Sequence, residues 1–233
     1  NWTSGGTPNG IFTQANTTIE FNSTTADQTI TRPGNETFNI LNINNTFGSV
    51  ILANNVNTAT LILTAGKVQT GAPRSINVTT AGGLSTGGAT NYVNGNLQRA
   101  VAAGASTVVF PIGDASNYTP LSLNFTSATA GNVTVSTSVP NAPATLGTPP
   151  TGSGLSQTQY INRNWAVTSA ITATYAATFT YKDPGDITGG ANTSALLVAL
   201  NDGVAPWSNP SIASSASPTV VTNSVITSFG TFS

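Results

Sequence analysis

The acidic side chains are the residues of this chain best suited to chemistry, and there are few of them. The 233 residues include seven acids and six bases, with no histidine and no cysteine. Without those two residue types, Ser-His-Asp centres, Cys-His centres and ordinary zinc sites are excluded. Two well-placed carboxylates could still hydrolyse a glycosidic bond or bind calcium.

Asp183 and Asp186 are the two acids that lie close together in the sequence. They flank Pro184 and Gly185, a pattern that is typical of a tight turn. A calcium site built from both carboxylates and nearby carbonyl groups is the alternative to a plain turn. We expect no other cofactor and no enzymatic activity.

Two aromatic residues are candidates for ligand binding. Trp207 follows a proline in a predicted loop, whereas Trp165 lies mid-strand among apolar residues and is expected in the core. Tyr118 lies in the polar loop of "FPIGDASNYTPLSLNF". Asp114 in the same loop has no second acid nearby, so we expect its carboxylate to accept hydrogen bonds from loop N–H groups.

The composition restricts the possible partners. Charged residues make up 6% of the chain and the net charge is −1, where a typical soluble domain has about 25% charged residues. Six basic residues cannot form a phosphate-binding stripe, and no apolar run approaches the roughly 20 residues that span a bilayer. We therefore expect no nucleic acid and no membrane insertion, and predict as partners other copies of the chain, other surface proteins or glycans.

Alternation of apolar and polar residues predicts an all-β fold. The segment "IFTQANTTIEF" would place one set of side chains on one face of a strand. This set is a candidate subunit contact and comprises Ile11, Thr13, Ala15, Thr17, Ile19 and Phe21. Because the strand follows a Gly-rich leader, we predict that it is donated to the sheet of another copy.

Two domains are predicted, an N-terminal β region at 1–90 and an antiparallel β-sandwich at 91–233. Four short apolar strands at 38–80 fit either the coils of a short β-solenoid or consecutive strands of a sandwich. In the second domain "SALLVAL" predicts a buried strand, and the Pro- and Gly-rich stretch 140–157 predicts an exposed loop.

Residues 38–233 resemble a recurrent β module of large secreted surface proteins of Bacteroidota. One part of the resemblance is a "GxVxGxLxR"-like strand with Val93, Gly95, Leu97 and Arg99. The more specific part is an "FPIG…YxP" hairpin, matched here by Phe110, Pro111, Ile112, Gly113, Tyr118 and Pro120. The resemblance implies secretion, by the type IX route, and exposure at the cell surface; it implies no catalytic residues.

The expected function is structural: a secreted subunit of a cell-surface or extracellular assembly, a filament joined by strand addition. The alternative is an adhesin or carbohydrate-binding module of a larger surface protein. The chain begins "NWTSGG" and has no methionine, so we expect an extracellular product from which a signal peptide has been removed. Asn-x-Ser/Thr sequons recur from Asn1 to Asn192 and make a glycoprotein an open alternative.

Overall fold

A computed structural model describes residues 2–3, 17–31, 34–85, 87–139, 155–204, 207–223 and 225–233. These residues form twenty β-strands. No helix occurs among them, and so none that could cross a membrane. The all-β prediction is confirmed.

The strands in chain order are β1 (Trp2–Thr3), β2 (Thr18–Phe21), β3 (Gln28–Thr31), β4 (Glu36–Leu52), β5 (Val56–Gln69), β6 (Ser75–Val78), β7 (Val93–Asn94), β8 (Asn96–Val101), β9 (Ser106–Phe110) and β10 (Ile112–Gly113). They continue with β11 (Leu121–Ala128), β12 (Gly131–Ser138), β13 (Tyr160–Ile161), β14 (Asn164–Ser169), β15 (Ala173–Thr180), β16 (Ile187–Thr188), β17 (Leu200–Asn201), β18 (Ile212–Ala216), β19 (Thr219–Thr222) and β20 (Thr231–Phe232).

Two compact units make up the chain. Unit 1 comprises Asn1–Val101 and Pro111–Tyr118, and unit 2 comprises Ala102–Phe110 and Thr119–Ser233. The predicted boundary lay at residue 90, within a Gly-rich stretch. In the structure that stretch belongs to unit 1, where Leu84 forms a parallel bridge with Leu61.

Unit 1 is a stack of parallel β-coils, so the solenoid interpretation of residues 38–80 is the one that the structure shows. One column of strands contains β2 and parts of β4 and β5, and a second contains β3, later parts of β4 and β5, β7 and β10. The third contains the starts of β4 and β5, then β6 and β8. Apolar side chains such as Phe21, Ile43 and Leu63 stack inside the coils and are buried.

Polar side chains follow the same spacing on the outside of the coils. The Glu20 carboxylate accepts hydrogen bonds from the Asn42 and Asn44 amides, at 3.1 and 2.8 Å. The Asn77 amide donates to Asn57, twenty residues earlier, at 2.8 Å. Each coil therefore repeats both the core and the surface of its neighbour, as expected for a quasi-one-dimensional stack.

Unit 2 is an antiparallel β-sandwich. One sheet has the order β18-β19-β15-β11-β9, and the strands β12, β14, β20 and β17 lie side by side in the other. The two layers meet through Trp165, Phe179 and Phe232, whose neighbouring ring centroids are 5.1 and 5.0 Å apart. Alternate residues of β15 are buried, so one face of this strand lies in the core of the sandwich.

Candidate functional site

An aromatic cavity of about 260 Å³ lies in unit 2. Its floor is the core contact just described, formed by Trp165, Phe179 and Phe232, and each of these is no more than 4% exposed. Tyr160 and Trp207, both partly exposed, are on its sides. The cavity therefore connects the buried core of the sandwich with its surface.

The aromatic cavity lies beyond the end of β20, between the strands that flank it. Ser233, which follows β20, exchanges backbone hydrogen bonds of 2.9 and 3.0 Å with Ala199, which precedes β17. The cavity is lined on one side by Tyr160 and Ile161, which precede β14. On the other side it is lined by residues 196–198.

Residues 196–198 were predicted to belong to a strand, but the strand that forms begins only at Leu200. The Leu196 N–H donates to the Ser215 hydroxyl. In the part of the chain that the structure describes, no hydrogen bond reaches the backbone of Leu197 or Val198. Val198 is buried, and buried backbone groups are normally paired. The strand is shorter than predicted because no described residue forms backbone hydrogen bonds with Leu197 or Val198.

The aromatic cavity also contains a polar group without a partner. Tyr181 is 2% exposed, and its hydroxyl has no hydrogen-bond partner among the described residues. Leaving such a hydroxyl unsatisfied costs about 1–3 kcal/mol. No described residue that lines the cavity carries a charged side chain. The arrangement suits an uncharged occupant that combines apolar surface with a hydrogen-bond acceptor.

The two predicted aromatic residues lie in different units. Trp207 lines the aromatic cavity of unit 2. Tyr118 is in unit 1, where its ring centroid is 5.6 Å from that of Tyr92, and burial raises the pKa of its hydroxyl. The Asp114 carboxylate beside it accepts hydrogen bonds from the Ser116 and Asn117 N–H groups at 2.7 and 2.8 Å, which is the loop role expected for it.

The two clustered acids have different environments. Asp186 is buried and its carboxylate binds the Arg163 guanidinium with two hydrogen bonds of 2.6 and 3.1 Å. It also accepts a hydrogen bond from the Lys182 N–H at 2.7 Å. Asp183 is exposed and accepts a hydrogen bond from the Ser217 hydroxyl. Since Arg163 already neutralises Asp186, Asp183 is the one acid of this turn whose carboxylate could bind a cation, and no metal-binding cluster of three acidic residues occurs in the described ranges.

The structure describes only the second half of the predicted subunit contact. Ile11, Thr13 and Ala15 lie outside the described residues, as does most of the loop predicted at 140–157. The second half of the contact segment lies in its own chain, because β2 pairs in parallel with β4 and Phe21 is 3% exposed in the core of unit 1. Residues 18–21 are therefore not available for the predicted donation.

Comparison with known proteins gives no relative: no family model, no curated protein and no solved structure matches the chain.

The aromatic cavity and the Arg163–Asp186 ion pair were missed by sequence reasoning. The members of the ion pair are 23 residues apart, and each was considered only within its own segment. The cavity is lined by residues from at least six separate segments between Leu155 and Ser233, which periodicity cannot bring together. The available signal was "NRNW", where Arg163 lies two residues before Trp165, a residue expected in the core. A basic side chain that is buried there needs an acidic partner.

Proposed function

We propose that the chain is a secreted structural subunit of a cell-surface or extracellular assembly, whose copies are joined by β-strand addition. The observation that carries the proposal is the aromatic cavity beside Leu197, whose backbone has no hydrogen-bond partner among the described residues. An added strand would hydrogen-bond to that backbone and cover the apolar floor.

The charge of the molecule supports association between copies. The net charge is −1 and charged residues are 6% of the chain. Copies of such a protein repel each other weakly, and near-zero net charge favours association. The proposal assigns the chain no catalytic role, in keeping with its lack of histidine and cysteine.

The proposed location is the cell surface or the extracellular space. Its support is the resemblance of the "FPIG…YxP" hairpin and the preceding strands to the secreted Bacteroidota surface module. The absence of cysteine and methionine is compatible with an oxidising location, since these are the most readily oxidised side chains.

Electron microscopy of the purified protein, combined with light scattering over a range of concentrations, tests the structural role. We expect filaments or open-ended oligomers that grow with concentration. A protein that stays monomeric at every concentration would contradict the proposal.

A second candidate function is carbohydrate binding, as part of an adhesin or other surface protein. The observation that favours it is Trp207 on the side of an uncharged cavity with aromatic walls, since tryptophan combines a large apolar surface with a polar N–H. A glycan array should then detect saturable binding that Trp207→Ala abolishes. Phe47→Ala, which alters a 58% exposed aromatic residue of unit 1, is the control and should leave binding unchanged.

A further inference from the structure

We propose that two copies of the chain meet face to face through a row of polar side chains on unit 1, around a two-fold axis. The row consists of Thr37, Asn57, Asn77 and Gln98 and is called the amide row below. The inference rests on the proposed assembly of copies and adds to it a second contact surface, separate from the aromatic cavity of unit 2.

The amide row is a straight, outward-facing feature of the third column of strands. Its members lie opposite one another in register on β4, β5, β6 and β8. Each alternates with buried neighbours along its strand, so its side chain points away from the core of the coils. Thr37 is exposed and the three amides are half-buried. Because adjacent strands are about 4.8 Å apart, the row spans about 14 Å.

The amides of the row keep hydrogen-bonding capacity for a partner. The Asn77 amide donates to the Asn57 side chain at 2.8 Å and accepts from the Ser75 hydroxyl at 2.7 Å. Among the described residues these are the side-chain hydrogen bonds of Asn77. A primary amide has two N–H donors and an oxygen with two lone pairs, so one donor and one acceptor site remain. A group that both donates and accepts is complementary to another copy of itself.

The third column differs from the other two in its outward residues. No outward residue is charged along β6, β8 and the aligned parts of β4 and β5, where the charged residues Glu36 and Arg99 are buried. The first column aligns Glu20 with Ile62, and the second carries Ile51. Asparagine is depleted in β-strands, so its repetition at one outward position of successive coils favours a role for the amide itself.

A second copy is the partner that matches this row. A rigid row with the spacing of strands is complementary to another row with the same spacing, and stacked amide side chains of identical sheets pack in this way. In a two-fold contact, residue i of one copy meets residue j of the other, and j meets i. With the axis at the centre of the row, Asn57 lies opposite Asn77, and Thr37 lies opposite Gln98. No charges are opposed in this arrangement.

The size of the amide row determines the strength of the contact. A stable interface buries roughly 800 Å² per partner, which is more than a row about 14 Å long provides. The contact between two free copies is therefore weak and is best detected by trapping it. Where strand addition holds many copies in one assembly, many such contacts act together, and their combined strength rises accordingly.

Crosslinking tests the contact and its orientation, because the chain has no cysteine of its own. Thr37→Cys is mixed with Gln98→Cys and treated with a short bis-maleimide that spans the roughly 10 Å between packed sheets. The mixture should give a crosslinked dimer. Either variant alone should give about tenfold less, since its two thiols lie at opposite ends of the paired rows, about 14 Å apart along them.

Thr29→Cys is the matched control for crosslinking. Thr29 is a half-buried, outward residue of the second column, so its thiol should give as little dimer as the single variants. Labelling with N-ethylmaleimide verifies that the thiols react equally well. Equal amounts of dimer from the mixture and from each variant alone would overturn the two-fold arrangement.

A charge substitution and its rescue test the row itself. Asn77→Lys, added to both cysteine variants, should lower the dimer yield about tenfold, because each lysine would be buried in the contact without a counter-ion. Asn77→Lys in one variant and Asn57→Asp in the other should restore the dimer, since the new lysine then lies opposite the new aspartate. Thr29→Lys in both variants should leave the yield unchanged. A local disturbance of unit 1 by Asn77→Lys would not be rescued by a substitution in the other copy.

The outcomes separate this inference from the strand-addition proposal. If the unaltered chain forms filaments but the mixture gives no more dimer than Thr29→Cys, strand addition stands and the amide row is not a contact. If the unaltered chain forms no filaments and the mixture gives the dimer, copies associate through the amide row and strand addition fails. If Asn77→Lys in both variants leaves the dimer yield unchanged, the inference is overturned.

Discussion

Arg163 and Asp186 are held in unit 2 as a buried pair, with Arg163 fully inaccessible to solvent. Their two hydrogen bonds make the pair bidentate, which is the strong geometry for guanidinium and carboxylate. Two charges of this kind gain little as a pair over apolar residues, but removing one leaves the other buried and uncompensated. The free energy of unfolding should therefore fall most when one member of the pair is replaced and the other is kept.

Asp186→Asn should lower the free energy of unfolding by about 3–5 kcal/mol, because Arg163 loses its counter-ion without gaining solvent. Asp183→Asn, the same substitution in the exposed part of the same turn, is the control and should change it by less than about 0.5 kcal/mol. Urea unfolding followed by tryptophan fluorescence measures both. Equal effects of the two substitutions would contradict a stabilising role for the ion pair.

Tyr175 predicts a loss of stability in alkaline solution. Burial raises the pKa of its hydroxyl well above the ordinary range, and the hydroxyl donates to the Ser228 carbonyl at 2.7 Å. The unfolded chain releases this proton near the ordinary tyrosine pKa of about 10, whereas the folded chain keeps it. Its contribution is therefore complete below about pH 10 and declines as the pH rises further.

Thermal unfolding between about pH 8 and pH 11 measures this effect. The midpoint of the unaltered chain should fall above pH 10 more steeply than that of Tyr175→Phe, which has no proton to lose at this position. Tyr118→Phe should also reduce the slope, but by less, since Tyr118 is only half-buried. Parallel curves for the unaltered chain and Tyr175→Phe would contradict the argument.

At the scale of elements, the corners of the coils in unit 1 depend on close backbone packing. Gly66 lies within β5 with φ of +78°, a conformation that favours glycine. A Cβ atom at this position would meet the carbonyl oxygens of Asn45 and Gly48 in the preceding coil. Gly82 has nearly the same φ, +79°, but a Cβ atom there would have no neighbour within 4 Å.

Gly82→Ala should cost about 1–2 kcal/mol of unfolding free energy, from backbone strain alone. Gly66→Ala should cost about 1–3 kcal/mol more, because it adds a collision between successive coils. Chemical denaturation of the two variants gives the difference directly, since the strain is common to both. If the two variants were equally stable, the coils would not be packed as closely as the structure has them.

The sequence predicts the strands better than their partners. Alternation in "IFTQANTTIEF" indicated β2, and the turn role of Asp114 was readable from its neighbours, since both depend on residues within one segment. The choice between coils and sandwich at 38–80 stayed open, because apolar strands of this length serve both. Pairing in register, such as Val56 with Ile76, is a long-range property that settles it.

The lack of a pairing strand beside residues 196–198 could not be read from the sequence either. "SALLVAL" has the composition of a buried strand, yet residues 196–198 form none, because a strand requires a paired neighbour and no described residue pairs with Leu197 or Val198. The aromatic cavity follows from the same fact. Trp207 was found by its loop position, whereas Tyr160 and Tyr181, in other segments, carry no local signal that they share its surroundings.

At the scale of the whole molecule, the thirteen charged residues that balance to −1 should make association insensitive to salt. Charge repulsion and attraction between copies are both small, so screening them changes little. We expect the rate of assembly, followed by light scattering, to vary less than about threefold between about 20 mM and about 500 mM NaCl. A steep dependence would mean that the few charges are concentrated at the contact between copies.

The parallel stacking of unit 1 also has a consequence for how such a chain can change in length over evolution. Each coil repeats the spacing of about twenty residues seen between Asn57 and Asn77, and it contacts only its neighbours above and below. Duplication of one such coil would lengthen the stack by about 4.8 Å, one strand spacing, and leave the aromatic contacts within unit 2 as they are. Relatives with taller or shorter stacks could thus arise by gain or loss of whole repeats, with the sandwich inherited unchanged.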